Sequence, residues 1–136
     1  MDYFVALDAG HSYFISGKET PMFPDGTKMK EWEFNWAVVK KIFKKLELYK
    51  QIDVFLTNTE KYDVTLDDRC DRANKAWQVY QDKFGKENVR GVLVSVHANA
   101  MKDYWNDLEN GTATFYYKTN MTDKAFAGVV QKNLIA

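Results

Sequence analysis

Two stretches of this sequence stay apolar for the length of a buried strand and then end in a histidine. Tyr3-Phe4-Val5-Ala6-Leu7-Asp8-Ala9-Gly10-His11 is the first, and Val92-Leu93-Val94-Ser95-Val96-His97-Ala98-Asn99 the second. They contain both of the 2 histidines found among the 136 residues. Near-continuous apolar runs of this kind suit strands covered on both faces, as in a parallel sheet. In an open α/β sheet the C-terminal strand ends form the edge where ligands collect. The pattern therefore delivers two imidazoles to one edge.

The rest of the chain supplies the elements such a sheet needs. After the first strand, residues 12–30 form a long connection with Gly17, Pro21 and the turn chemistry of Pro24-Asp25-Gly26. A structureless connection of this length is more often functional than idle. From Glu31, Phe34, Ala37, Val38, Ile42, Leu46 and Tyr49 recur at helical spacing. Residues 52–57 read as a second buried strand. Leu66, Cys70, Ala73, Trp77, Tyr80 and Phe84 form a second helical stripe that stops before Gly85. On that stripe Cys70 reads as a small core residue. Residues 89–96 make the third strand, 102–110 a surface insertion, and 112–117 an alternating fourth strand. Phe126, Val129, Val130 and Leu134 mark a last helix. The order β-α-β-α-β-β-α predicts one α/β domain over 1–136, with a mostly parallel twisted sheet and helices on both faces.

Composition narrows the function classes. With 46% hydrophobic and 15% aromatic residues the chain is expected to fold. Its formal charge is +0 with scattered lysines, so no nucleic-acid partner is expected. Its 1 cysteine excludes an internal disulfide framework. No run is long enough to cross a bilayer, so no membrane partner is expected either. Met1 leads almost directly into the first strand, and no signal peptide is read.

Zinc that performs chemistry usually has three protein ligands from His and Glu or Asp, with a fourth position for water. His11 and His97 qualify by type and place. Glu31, at the start of the first helix and directly after the long loop, can face the same edge. Glu33 projects from another side of the helix, and Asp8 points elsewhere within its strand. Each has a duller reading. A carboxylate in a first helical turn often does no more than complement the helix dipole, and a strand-end histidine is more often a hydrogen-bonded structural residue. No Gly-x-Ser-x-Gly elbow or glycine-rich phosphate loop offers competing chemistry. Arg69, Arg72 and Asn74 either line the site or solvate the second helix, and the solvated face is the first reading. Tyr104 and Trp105 in the insertion read as sugar-stacking residues or as cover for the core.

The motifs resemble those of the zinc-dependent N-acetylmuramoyl-L-alanine amidases, the type 3 amidase family of peptidoglycan hydrolases. Leu7-Asp8-Ala9-Gly10-His11 is similar to the family's opening motif, and Glu31 with Asn35 to its Glu-x-x-x-Asn. Leu56-Thr57 matches the end of its second strand. Leu66, Arg69 and Ala73-Asn74 match its Leu-x-x-Arg-x-x-x-Ala-Asn, and Ser95-Val96-His97-Ala98-Asn99-Ala100 its most recognisable segment. The resemblance extends through 111–117 and 125–134, so it covers nearly the whole chain. It implies a three-layer domain, zinc held by His11, Glu31 and His97, and a muropeptide substrate. Asn99, Tyr104 and Trp105 are expected to contact that substrate, the aromatic pair because the insertion follows the His97 strand end directly. The resemblance also implies cleavage of the amide between N-acetylmuramic acid and L-alanine.

Two departures qualify that expectation. Asn58 stands where the family has Arg, which is expected to alter a surface contact or one behind the ligands. Family members also continue with another strand and helix that include a general-base glutamate, so the catalytic base is expected beyond Ala136. The chain alone is therefore expected to be inactive or weakly active, and prone to self-association through an exposed sheet edge. A non-catalytic, zinc-dependent peptidoglycan-binding module is the alternative. A nucleotide-binding α/β domain survives on fold grounds alone. Action on the cell wall without a leader fits a phage endolysin delivered through a holin, an autolysin-like enzyme, or a form trimmed of its leader.

Overall fold

The computed structural model describes residues 1–98, 104–105 and 111–135. The chain divides into two compact units, Met1–Asp103 and Tyr104–Ala136. In the first unit β1 (Asp2–Ala9), α1 (Glu31–Leu46), β2 (Ile52–Leu56), α2 (Leu66–Phe84) and β3 (Val89–Val96) follow in order. The sheet has the order β2-β1-β3, with β1 central and parallel to both neighbours.

Strand alternation on β1 assigns the two helices to opposite faces. Phe4 and Ala6 pack with Ala73, Tyr80 and Val89, and Phe55, Trp77 and Phe84 close around them beneath α2. Leu7 and Ala9 turn the other way onto Trp32 and Val39 of α1, with Val54, Leu56, Val94 and Val96 beside them. The Tyr80 hydroxyl is satisfied by donating to Tyr3 O at 3.1 Å. Thr65 caps α2 by accepting from Asp68 N–H at 3.1 Å. Gly85 ends that helix at φ 85, a left-handed conformation that glycine adopts without a Cβ penalty.

Several expectations change in detail. The stripe predicted for α1 is rotated: Phe34 is 43% exposed, while the buried positions are Glu31, Trp32, Asn35 and Val39. On α2 the buried positions are Arg69, Ala73 and Tyr80, whereas Cys70 is exposed and Leu66 is 75% exposed. In both helices a polar side chain takes an inward position in the first turn, and an apolar residue of that turn, Phe34 or Leu66, faces outward. Residues 12–30 are not structureless. Glu19 and Lys30 form an antiparallel bridge, and Gly26 N–H donates to Phe23 O at 2.9 Å across the Pro-Asp turn.

The second unit holds α3 (Met121–Leu134), capped by Asn120, whose side chain accepts from Thr122 and Asp123 N–H. The fourth strand expected at 112–117 is not formed. Its polar groups bond to a helix side chain rather than to a ladder: Gln131 donates to Thr112 O and accepts from the Thr114 hydroxyl, both at 2.8 Å. Alternation supplies a strand-compatible pattern, but a strand also requires a paired backbone. No helix among the described residues is long and apolar enough to cross a membrane.

Leu7, at 1% exposure, lies at the centre of the α1-side core. Leu7→Ala is expected to cost about 2–5 kcal/mol in urea denaturation. Leu48→Ala, at a position 79% exposed, is expected to stay within roughly 0.5 kcal/mol of the parent.

Candidate metal centre

Register brings the two histidines together. Ala9 pairs with Val96 at the end of the β1–β3 ladder, and Gly10 N–H extends it by donating to Val96 O at 2.9 Å. His97 follows directly on one strand, while Gly10 separates Ala9 from His11 on the other. A Cβ on Gly10 would stand 2.3 Å from the His97 ring, so only glycine leaves space for the imidazole there. His11 then turns at φ 63, which among the described residues makes it the one non-glycine in left-handed backbone. That conformation costs an L-residue roughly 1–2 kcal/mol. The two rings end up perpendicular, with centroids 5.0 Å apart.

Glu31 enters from the third direction. Its N–H donates to Lys18 O at 2.9 Å, which fixes the start of α1 against the loop. Its carboxylate accepts from Ala98 N–H at 3.1 Å, tying it to the chain just past β3. Oε2 lies 3.3 Å from His11 Nε2, and Oε1 lies 3.3 Å from His97 Nδ1. The Glu31 side chain is 10% exposed, that of His11 23% and that of His97 38%, so the carboxylate forms a floor and the rings face outward. One ligand atom from each residue can be chosen so that all lie within 4.8 Å of one another.

These separations can be read physically. Charge-assisted N–H···O contacts usually close to about 2.7–2.9 Å, so 3.3 Å is long for an ion pair. Donors bound about 2.0–2.1 Å from one tetrahedral ion would stand roughly 3.3–3.4 Å apart. Burial pushes the His11 imidazole below its ordinary pKa, and His97, Lys18 and Arg69 act in the same direction against the opposing pull of Glu31. The neutral ring this favours is the form that ligates a metal. Two imidazoles and a carboxylate suit a borderline divalent ion of the zinc type. The residues fit such an ion.

The remaining candidates have other places. Glu33 is exposed and accepts from Lys30 N–H at 3.1 Å, so it caps α1. Asp8 is buried, accepting from the Thr57 hydroxyl at 2.7 Å and the Ser95 hydroxyl at 2.6 Å. Tyr104 and Trp105 belong to the second unit and are 60% and 56% exposed. Asn99 lies outside the described residues. Asn74 is exposed, and Arg72 reaches Glu60 at 2.8 Å and Thr57 O at 3.1 Å.

Residue-level reasoning missed Arg69 and Asn58. Arg69 is 5% exposed and donates to Val64 O, Ala9 O and His11 O, so it is no solvated face residue. Asn58, 2% exposed, clasps Ala9 by accepting from its N–H at 3.3 Å and donating to its carbonyl at 3.1 Å. That is a contact behind the ligands, not a surface one. Asn35, one helical turn after Glu31, donates to Gly10 O at 3.0 Å. The Leu-x-x-Arg and Glu-x-x-x-Asn motif matches were the available signal for two of the three.

The close approach at Gly10 yields a test. Gly10→Ala is expected to displace the His97 ring, lengthening its Nδ1–Oε1 separation well beyond 3.3 Å in a crystal structure of the variant. The ring is the free end of a flexible side chain, so the stability cost should stay within about 1–3 kcal/mol.

No curated protein sequence matches the chain significantly. The catalytic domain of CwlV, an N-acetylmuramoyl-L-alanine amidase from Bacillus (Paenibacillus) polymyxa var. colistinus, is similar in structure, with a TM-score of 0.69 and 28% identity. That match covers 97% of this chain and 62% of the other. An N-acetylmuramoyl-L-alanine amidase from Clostridium difficile 630 is similar with a TM-score of 0.55 and 29% identity, over 84% of this chain and 50% of the other. The chain thus spans between half and two-thirds of the length of these relatives. The family model described as N-acetylmuramoyl-L-alanine amidase matches residues 5–136, and the chain belongs to that family, the type 3 amidases.

Proposed function

We propose that this chain carries the zinc-binding part of an enzyme that hydrolyses the amide between N-acetylmuramic acid and L-alanine in peptidoglycan, acting at the cell wall. The observation that carries the reading is the convergence of one donor atom each from His11, Glu31 and His97 within 4.8 Å of one another, in a chain of this family. His11 Nε2, His97 Nδ1 and a Glu31 carboxylate oxygen are the proposed ligands. Bound zinc would supply Lewis acidity, lowering the pKa of water and polarising the scissile carbonyl.

The protein's own part is positioning. Ala98 N–H holds the Glu31 carboxylate in place while leaving its other oxygen toward His11. Among the described residues the His97 side chain is 38% exposed, which suits a site that must admit a polymeric substrate. Tyr104 and Trp105 are proposed to contact the glycopeptide, since aromatic faces suit sugar rings. Asn99, within the His97 motif, is proposed to contact it as well.

Zinc content and hydrolysis test the reading together. His11→Ala and His97→Ala are each expected to lose most bound zinc in metal analysis, and Glu31→Gln likewise, while Glu33→Gln keeps it. Release of L-alanine amino termini from muropeptides by the full-length protein should stop on chelation and return with zinc. Full zinc occupancy in either histidine variant would count decisively against this ligand set.

The aromatic pair is tested separately. Replacing Tyr104 and Trp105 by alanine is expected to weaken retention on purified sacculi by roughly tenfold, about 1.4 kcal/mol, with zinc content unchanged. Unchanged retention accompanied by a lower melting temperature would assign the pair to core cover instead.

A further inference from the structure

We infer that Arg69 is a positioning residue for the metal centre, its buried guanidinium fixing the backbone at His11 and so the direction of the His11 imidazole. The inference rests on the reading of His11, Glu31 and His97 as ligands. Arg69 comes from α2, on the sheet face opposite the α1-side core, and its hydrogen bonds go to backbone carbonyls and to Asp8 rather than to the three ligand side chains. Its influence runs through the main chain.

The guanidinium makes an extended set of contacts for one side chain. Nε donates to Val64 O at 2.8 Å. Nη1 reaches Ala9 O at 3.1 Å and Asp8 Oδ1 at 3.3 Å. Nη2 donates to His11 O at 2.7 Å, the shortest of the set. Gly10 O, between the two held carbonyls, is taken by Asn35 Nδ2 at 3.0 Å. Three successive carbonyls, at residues 9, 10 and 11, are therefore each held by a side chain from a helix. Peptide planes fixed in this way determine the intervening dihedral angles, including the left-handed φ of 63 at His11.

Neutralising Asp8 would account for Nη1 alone. It does not require Nη2 to reach past Gly10 to the carbonyl of the unusual residue. A planar fork with five donors can serve Val64, Ala9 and His11 together, whereas a lysine ammonium is a point charge that cannot span them. Arg69→Lys therefore separates the two roles: it keeps a cation near Asp8 and removes the fork.

The experiment compares the wild-type chain, Arg69→Lys, and Asp8→Asn/Arg69→Met, which removes both buried charges in case the lysine variant fails to fold. Circular dichroism establishes folding. Zinc affinity is then read by chelator competition, and the visible d–d bands of the cobalt-substituted protein report ligand geometry. Groups that orient metal ligands typically contribute about 10–100-fold to affinity, and a loss of that size with altered cobalt bands is expected in the folded variants. Arg72→Lys, at a cation that pairs with Glu60, should leave both readouts at wild-type values. A folded Arg69 variant with wild-type zinc affinity and an unchanged cobalt spectrum would overturn the inference and leave the metal centre standing. A wild-type chain that takes up neither ion would instead overturn the metal reading itself, and this inference with it.

Discussion

The arrangement depends on a carboxylate buried where the strands end. Asp8 is 6% exposed and Arg69 beside it 5%. Taking such ions out of water costs several kcal/mol each in order of magnitude unless every partner is in place. The partners come from separate segments: Thr57 just after β2, Ser95 within β3 and Arg69 from α2. Satisfying one side chain therefore aligns the ends of all three strands and docks a helix against them. Parallel pairing alone would bring the strands side by side, but the polar cluster defines where they stop.

From that alignment the histidine geometry follows in few steps. The ladder runs to Ala9 and Val96, the bond from Gly10 adds one link, and the next residues on both chains must leave the sheet. The absence of a Cβ at Gly10 lets the His97 ring sit over the turn, and the left-handed His11 brings the second ring to meet it. Glu31 meets both because the first turn of α1 is anchored at Lys18 and Ala98. The polar side of the site is thus assembled from backbone hydrogen bonds as much as from side-chain identity.

The strands were legible in the sequence as continuous apolar runs, and β3 begins and ends where its run does, although burial on both faces does not hold for it: Leu93 is 49% exposed. The helix faces were less so. Hydrophobic periodicity counts Glu31, Asn35 and Arg69 as outward residues, yet these occupy inward positions and turn Phe34, Leu66 and Cys70 toward solvent. The pattern fails where a helix is used to place a polar group, since burial there is sustained by hydrogen bonds rather than by hydrophobicity. Candidates at strand ends and at the first helical turn were accessible because position alone restricts where they can face. The supporting residues were not, because a buried arginine and a buried asparagine look like surface residues until their acceptors are known. Residues 112–117 failed for another reason: alternation records side-chain chemistry but carries no information about a pairing partner.

The loop of residues 12–30 starts directly after His11 and ends directly before Glu31, and besides the bond from Glu31 N–H to Lys18 O each neighbour has a hold outside the loop. His11 is held by Arg69, and Glu31 by Ala98. The entropy of closing a flexible segment rises only logarithmically, by about 0.6 kcal/mol for each doubling of length. Descent with modification can therefore lengthen, shorten or recompose the turn within the Glu19–Lys30 bridge at small energetic cost while the anchored ends stay where they are. The fold separates a part under tight geometric constraint from an adjoining part open to variation, and the variable part begins and ends beside two of the three candidate ligands.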